Sequence, residues 1–132
     1  MAQEWVIPSD LIAARDVVGE LLDEAEAAGY TEGVCFAIRL ALEEALSNAI
    51  KHGNCYDPAK KIKVCAELDQ RRASVSVADE GEGFDPADVP DPTADENIEK
   101  PSGRGIMLMR AYMDDVVYNR RGNEVRITKR RG

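Results

Sequence analysis

An α+β fold is what the order of hydrophobic periods predicts: a two-layer α/β sandwich, a mixed sheet of about five strands covered on one face by three helices. Three observations carry this expectation. Two helical-period stretches follow a short apolar run at the N-terminus, and two runs of period two then meet across a tight polar link. A third apolar helical stretch precedes a last pair of strand-like runs, and the whole reads as one domain over residues 1–132.

Each element has its own signal. Glu4-Trp5-Val6-Ile7-Pro8 is an apolar run ended by proline, which suits an edge strand. Ser9-Asp10 offers an N-cap for a helix to about Ala28, stopped by Gly29, with Leu11, Ile12, Val17, Val18, Leu21, Leu22 and Ala25 at helical spacing. Thr31 caps a second helix that ends at Gly53-Asn54. Lys61–Leu68 and Ala73–Asp79 alternate and are joined by Asp69-Gln70-Arg71-Arg72, an antiparallel hairpin with one buried face. From Phe84 to Ser102 the period is lost among four prolines and six acidic residues. A loop of that length inside a compact domain is usually a lid or a binding loop. Gly103-Arg104-Gly105 then opens a helix from Ile106 to about Met113, and strands near Asp115–Asn119 and Asn123–Lys129 close the chain.

Composition narrows the classes of function. A 44% hydrophobic and 32% charged chain of 132 residues is ordinary for a globular domain with one core. The net charge of −8 argues against nucleic acid as a direct partner, and the arginine-rich C-terminus reads as a solvated strand end. No apolar run is long enough for a membrane span, and no signal-peptide pattern is present. Cys35, Cys55 and Cys65 are odd in number and form no CxxC pair, so three free thiols in a reducing cytoplasm are expected.

Three pieces carry chemistry. Glu44, Asn48 and His52 recur every four residues on a helix with apolar Leu42, Ala45, Leu46, Ala49 and Ile50. Side chains at that spacing line one side of a helix, roughly 6 Å apart. The second strand of the hairpin delivers Asp79 and turns through Gly81 and Gly83. A carboxylate beside glycines, which admit close approach, suits an exocyclic amine such as that of adenine. Gly103 and Gly105 stand at a helix start, where free N–H groups suit phosphate, yet neither a Walker A nor a Rossmann spacing is present. Alone, each piece has an ordinary structural explanation: a solvated helix stripe, an exposed turn and a common helix start.

Their order is more specific. The ExxxN row Glu44–Asn48, the DxGxG run Asp79–Gly83, a long loop and the GxG of Gly103–Gly105 together resemble the histidine-kinase-like (GHKL) ATPase superfamily. The wording of Glu44–Gly53 and of Pro101–Met109 is similar to the small bacterial anti-sigma-factor serine kinases of the partner-switching type. That resemblance implies ATP and Mg²⁺ as cofactors, and transfer of the γ-phosphoryl group to a hydroxyl of a protein. It implies Glu44 as general base, Asn48 as the Mg²⁺ ligand, and Asp79 as the reader of adenine with Gly81 and Gly83 lining base and ribose. Gly103 and Gly105 would cradle the phosphates, Arg104 and Lys100 are the nearest cations, and residues 85–102 form the ATP lid. The implied partners are a sigma factor and a STAS-type anti-sigma-factor antagonist, within a homodimer to which Trp5 and the first helix offer apolar surface. His52, the only histidine, is expected in a supporting role, and with no separate dimerisation helix expected ahead of the domain, a serine or threonine of a partner is the expected acceptor. The alternative is a module that binds ATP and regulates a partner without phosphoryl transfer.

Overall fold

The computed structural model describes residues 2–81 and 101–131, with residues 101–106 described by their backbone. Strand β1 (Ala2–Pro8) leads into helices α1 (Leu11–Ala27) and α2 (Glu32–Asn48), and α2 runs on into a π-helical turn, Ala49–Gly53. The hairpin β2 (Lys61–Leu68) and β3 (Arg72–Ala78) is followed by α3 (Pro101–Tyr112), β4 (Asp115–Tyr118) and β5 (Glu124–Arg130).

The local signals act where residue chemistry predicts. Asp10, not Ser9, caps α1, its carboxylate accepting the Ile12 N–H at 3.0 Å. Ser9 is instead buried, and its hydroxyl donates to Lys60 O. Thr31 caps α2 through the Val34 N–H. Gly29, at φ 88°, ends α1: its own N–H donates to Glu26 O, and the Tyr30 N–H donates to Ala25 O. This left-handed stop uses up carbonyls that the helix end leaves free. In β2 and β3 the alternate residues Ile62, Val64, Ala66, Leu68, Ala73, Val75 and Val77 are buried. The intervening ones face the other side, so one face of the sheet packs on helices and the other is solvated.

The sheet order is β1-β2-β3-β5-β4, and every pairing among the described strands is antiparallel, where a mixed sheet was expected. The reason lies in the connections. Between β1 and β2 the chain passes through two helices, down the sheet face and back, so it re-enters antiparallel. Strands β3 and β4 each run antiparallel to β5, which lies between them, so the two strands that share a direction do not pair. The other shift is at α3, which starts at Pro101, so Gly103 and Gly105 lie inside its first turns. Proline at a first helical position loses nothing, because that N–H has no intrahelical partner.

The core is built chiefly by α1 and α2 against the inner sheet face, with Leu21, Ile38, Leu42, Ile50, Ile62 and Ile127 all at 0% exposure. Tyr30 fastens the α1–α2 link to the hairpin, its hydroxyl donating to Asp69 O at 2.8 Å. Asp69 in turn accepts the N–H groups of Arg71 and Arg72, and these bonds hold its carboxyl below the usual carboxylate range. Replacing Leu42 by Ala is expected to cost about 3–5 kcal/mol in denaturant unfolding, for lost burial plus a cavity. Tyr30→Phe removes one hydrogen bond and should cost about 1 kcal/mol by the same measurement.

Candidate functional site

The site forms where the C-terminal end of α2 meets the ends of β3 and β5. A cavity of about 450 Å³ opens there, a volume ordinary for small-molecule sites. Its apolar walls come from Ala45 and Ala49 on the helix and from Val77 and Val125 on the strands. Asn48, His52, Lys60, Asp79, Tyr118 and Asn123 bring the polar groups. Apolar walls with a few directed polar groups suit an aromatic base.

Asp79 is the centre of this arrangement. It follows the last paired residue of β3, and its N–H donates to Asn123 O at 2.9 Å. One carboxylate oxygen accepts the Gly81 N–H at 2.8 Å. Burial pushes the carboxyl above its ordinary value, while the Gly81 N–H, Lys60 and Arg121 pull the other way. Two glycines make the close packing around it possible. A methyl group on Gly53 would overlap the Asp79 carboxylate, and one on Gly81 would overlap the Gly53 carbonyl. Tyr118, mostly buried in the same wall, has its phenol pushed up to about 12 by burial, so it remains protonated at physiological pH.

Asn48 approaches the cavity from the helix. Its Nδ2 is buried and has no hydrogen-bond partner among the described residues. A buried amide without a partner is costly, and here it lines a cavity large enough for a ligand that would supply one. The two ends of a carboxamide exchange by rotation, so the same position offers either a donor or a neutral oxygen. Such an oxygen suits Mg²⁺, a hard cation that takes its remaining ligands from phosphate and water. Among the described residues no group of three or more His, Cys, Asp or Glu side chains could hold a metal by itself.

The remaining predicted residues divide. Gly81 is buried and packed against Asp79, as a close-approach position requires. Glu44 stands half-buried one turn before Asn48, outside the described cavity wall. His52 is exposed at the rim. Gly103 and Gly105 lie in α3; the Arg104 side chain, Gly83, Lys100 and nearly all of the predicted lid lie outside the described residues.

Sequence reasoning missed the π-helical turn and its consequence, because the apolar spacing of Ala45, Leu46, Ala49 and Ile50 reads the same with or without it. The turn closes with the Asn54 N–H on Ala49 O at 2.8 Å, and π turns inside helices often mark functional sites. Asn54 itself, at 1% exposure, reads in the sequence only as a helix stop. Tyr118 and Asn123 were also missed, although the Asn-Arg-Arg-Gly turn at Asn119–Gly122 was a signal. Gly122 sits there at φ 79° and the Asn119 side chain accepts the N–H groups of Gly122 and Asn123.

Comparison with known proteins identifies the family. Residues 7–129 match the histidine kinase-like ATPase domain family. The chain is 32% identical over 108 residues to the serine-protein kinase RsbW of Bacillus subtilis, covering 76% of this chain and 68% of that protein. It is 30% identical over 88 residues to the serine/threonine-protein kinase BtrW of Bordetella bronchiseptica, covering 65% and 62%. Against an anti-sigma F factor of Clostridium acetobutylicum it is 32% identical over 82 residues, covering 60% and 56%. The matches thus span between 56% and 68% of those relatives' own lengths. The crystal structure of the RsbU and RsbW domains of a Mycobacterium tuberculosis protein shares the fold, at a TM-score of 0.64 and 21% identity over 98% of this chain and 32% of that one.

The raised pKa of Asp79 has a sign that can be tested. The folded state holds the proton more tightly than the unfolded one, so this carboxylate subtracts stability as pH rises from the unfolded pKa through the folded value. Asp79→Asn removes that charge and keeps an oxygen for the Gly81 N–H. The ligand-free protein is expected to melt at or above the wild-type temperature at neutral pH, while its affinity for ATP falls at least tenfold in titration calorimetry.

Proposed function

We propose, for a chain that belongs to the histidine kinase-like ATPase family, that it is an ATP-dependent serine/threonine protein kinase and anti-sigma factor. It would phosphorylate a STAS-type antagonist and sequester a sigma factor. The observation that carries this reading is the convergence of Asn48 and Asp79 on one cavity, the first with an unpartnered buried amide and the second with a half-buried carboxylate. ATP use follows from the family. The names of the relatives, serine-protein kinase and anti-sigma factor, support the finer assignment.

The roles divide by chemistry. ATP with Mg²⁺, when bound, supplies the transferable phosphoryl group and the divalent charge that its transfer needs. Asp79 accepts from the adenine amine, with Gly81 and Gly83 beside base and ribose, and Asn48 holds the cation by its neutral oxygen. The free backbone N–H groups of the first turn of α3, that of Gly103 among them, and the Arg104 cation meet the phosphates, with Gly105 just beyond. Glu44 takes the proton from the acceptor serine as its oxygen becomes nucleophilic. A cytoplasmic homodimer belongs to the same reading. Among the described residues no helix is long and apolar enough to cross a membrane. The exposed Leu11 and Ile12 at the start of α1 offer apolar surface for a second subunit.

A binding module without phosphoryl transfer is the second reading, favoured by the position of Glu44 outside the described cavity wall. Radiolabelled ATP and a STAS-type antagonist separate the two. The kinase reading expects label on an antagonist serine or threonine, and Glu44→Gln should cut the rate at least a hundredfold with ATP affinity kept. ATP binding without any label on the antagonist would establish the module instead.

A further inference from the structure

Asn54 belongs to no part of the mechanism above, yet it is the most deeply buried polar residue among the described residues. At 1% exposure its carboxamide makes three hydrogen bonds, to three separate segments. Nδ2 donates to Ser9 Oγ at 2.9 Å and to Lys61 O at 3.0 Å, and Oδ1 accepts the Glu80 N–H at 2.8 Å. The Ser9 hydroxyl in turn donates to Lys60 O at 2.8 Å. The backbone N–H of Asn54 closes the π-helical turn on Ala49 O. The carboxamide therefore joins the end of the α2 segment to the junction of β1 and α1, the start of β2, and the turn that follows Asp79.

The position of the acceptor bond matters most. Glu80 stands between Asp79, the carboxylate in the cavity, and Gly81, whose N–H that carboxylate accepts. Gly53, the residue before Asn54, lies against both Asp79 and Gly81. With the Glu80 N–H anchored, the Asp79–Gly81 turn cannot slide away from Gly53, and the helix carrying Asn48 keeps its distance from the carboxylate.

We infer that Asn54 is a positioning residue for nucleotide recognition: its carboxamide oxygen, through the Glu80 N–H, holds Asp79 where it reads the base, while its amide nitrogen fastens the fold. The inference rests on the reading of Asp79 as the adenine-amine acceptor. It adds a residue that touches no nucleotide and sets how well the amine is told from a carbonyl. The two halves of the side chain thereby do separable work. Loss of the nitrogen's partners affects stability, whereas loss of the oxygen's partner affects base discrimination.

The test compares affinities for ATP and for inosine triphosphate, which carries a carbonyl in place of the amine, by titration well below each variant's melting temperature. A purely structural defect lowers both affinities together, so the ratio isolates positioning. Asn54→Ala is expected to reduce the wild-type preference for ATP about tenfold, the size of one hydrogen bond to a charged group. Glu80→Pro removes the same N–H at an exposed turn and leaves Asn54 intact, so it should give the same loss even if Asn54→Ala does not fold. Glu80→Ala keeps the N–H and should keep the ratio, and Ser9→Ala should lower the melting temperature with the ratio unchanged. A wild-type ratio in Glu80→Pro would overturn the inference while leaving the site reading intact. A wild-type protein that does not distinguish the two nucleotides would remove the reading of Asp79 and the inference with it.

Discussion

The separation between the C-terminal end of α2 and the end of β3 is the constraint on which this domain's site depends. The helix carries Asn48 and the strand carries Asp79, and neither residue is useful without the other at a set distance. Contact between the two elements is steric at Gly53 and Gly81 and polar at Asn54. A buried carboxamide with all its partners present is worth having, and one with partners missing is worse than an apolar residue. That asymmetry favours one closest approach of helix to strand over a range of them.

Around that contact the chain tolerates several unfavourable features. Asp79 is a half-buried carboxylate whose partial burial raises its pKa, and the Asn48 amide lacks a partner among the described residues. Cys55 and Tyr56 have positive φ, at 50° and 59°, without being glycine. Each such backbone costs of order 1–3 kcal/mol and persists only where surrounding structure over-determines it. Here the over-determination comes from the fully buried side of α2 and the turn beyond it, where Leu42, Leu46 and Ile50 anchor the helix to the sheet. The stable core and the costly site share one helix, so packing on one face holds polar groups in place on the other.

Much of this is legible in the residues themselves. The strands β2 and β3 follow from alternation, α1 from its periodic apolar residues and the Gly29 stop, and Asp79 from a carboxylate placed ahead of glycines at a strand end. Other features leave no local trace. The π-helical turn keeps the apolar spacing of an ordinary helix, so nothing in the Ala49–Gly53 run announces it. Asn54 follows a glycine at a helix end, which is where an asparagine is expected simply as a stop signal. Tyr118 and Asn123 enter the cavity from β4 and the turn before β5, segments whose sequence carries no mark of the helix they face.

By itself the sequence determined which elements form, which faces of them are apolar, and which chemical groups recur in the order of a nucleotide site. These are properties of neighbours within about one turn or one strand, and local periodicity and capping encode them. Only the tertiary structure decided that β5 lies between β3 and β4, which makes the described sheet antiparallel. It also decided that Asn54 bridges three segments and that Asp79 is half-buried among its neighbours. Those outcomes depend on atoms far apart in the chain. A hydrogen bond between residues 54 and 80, or between 54 and 9, is specified only when the core brings them together, and so is the dielectric around a carboxylate.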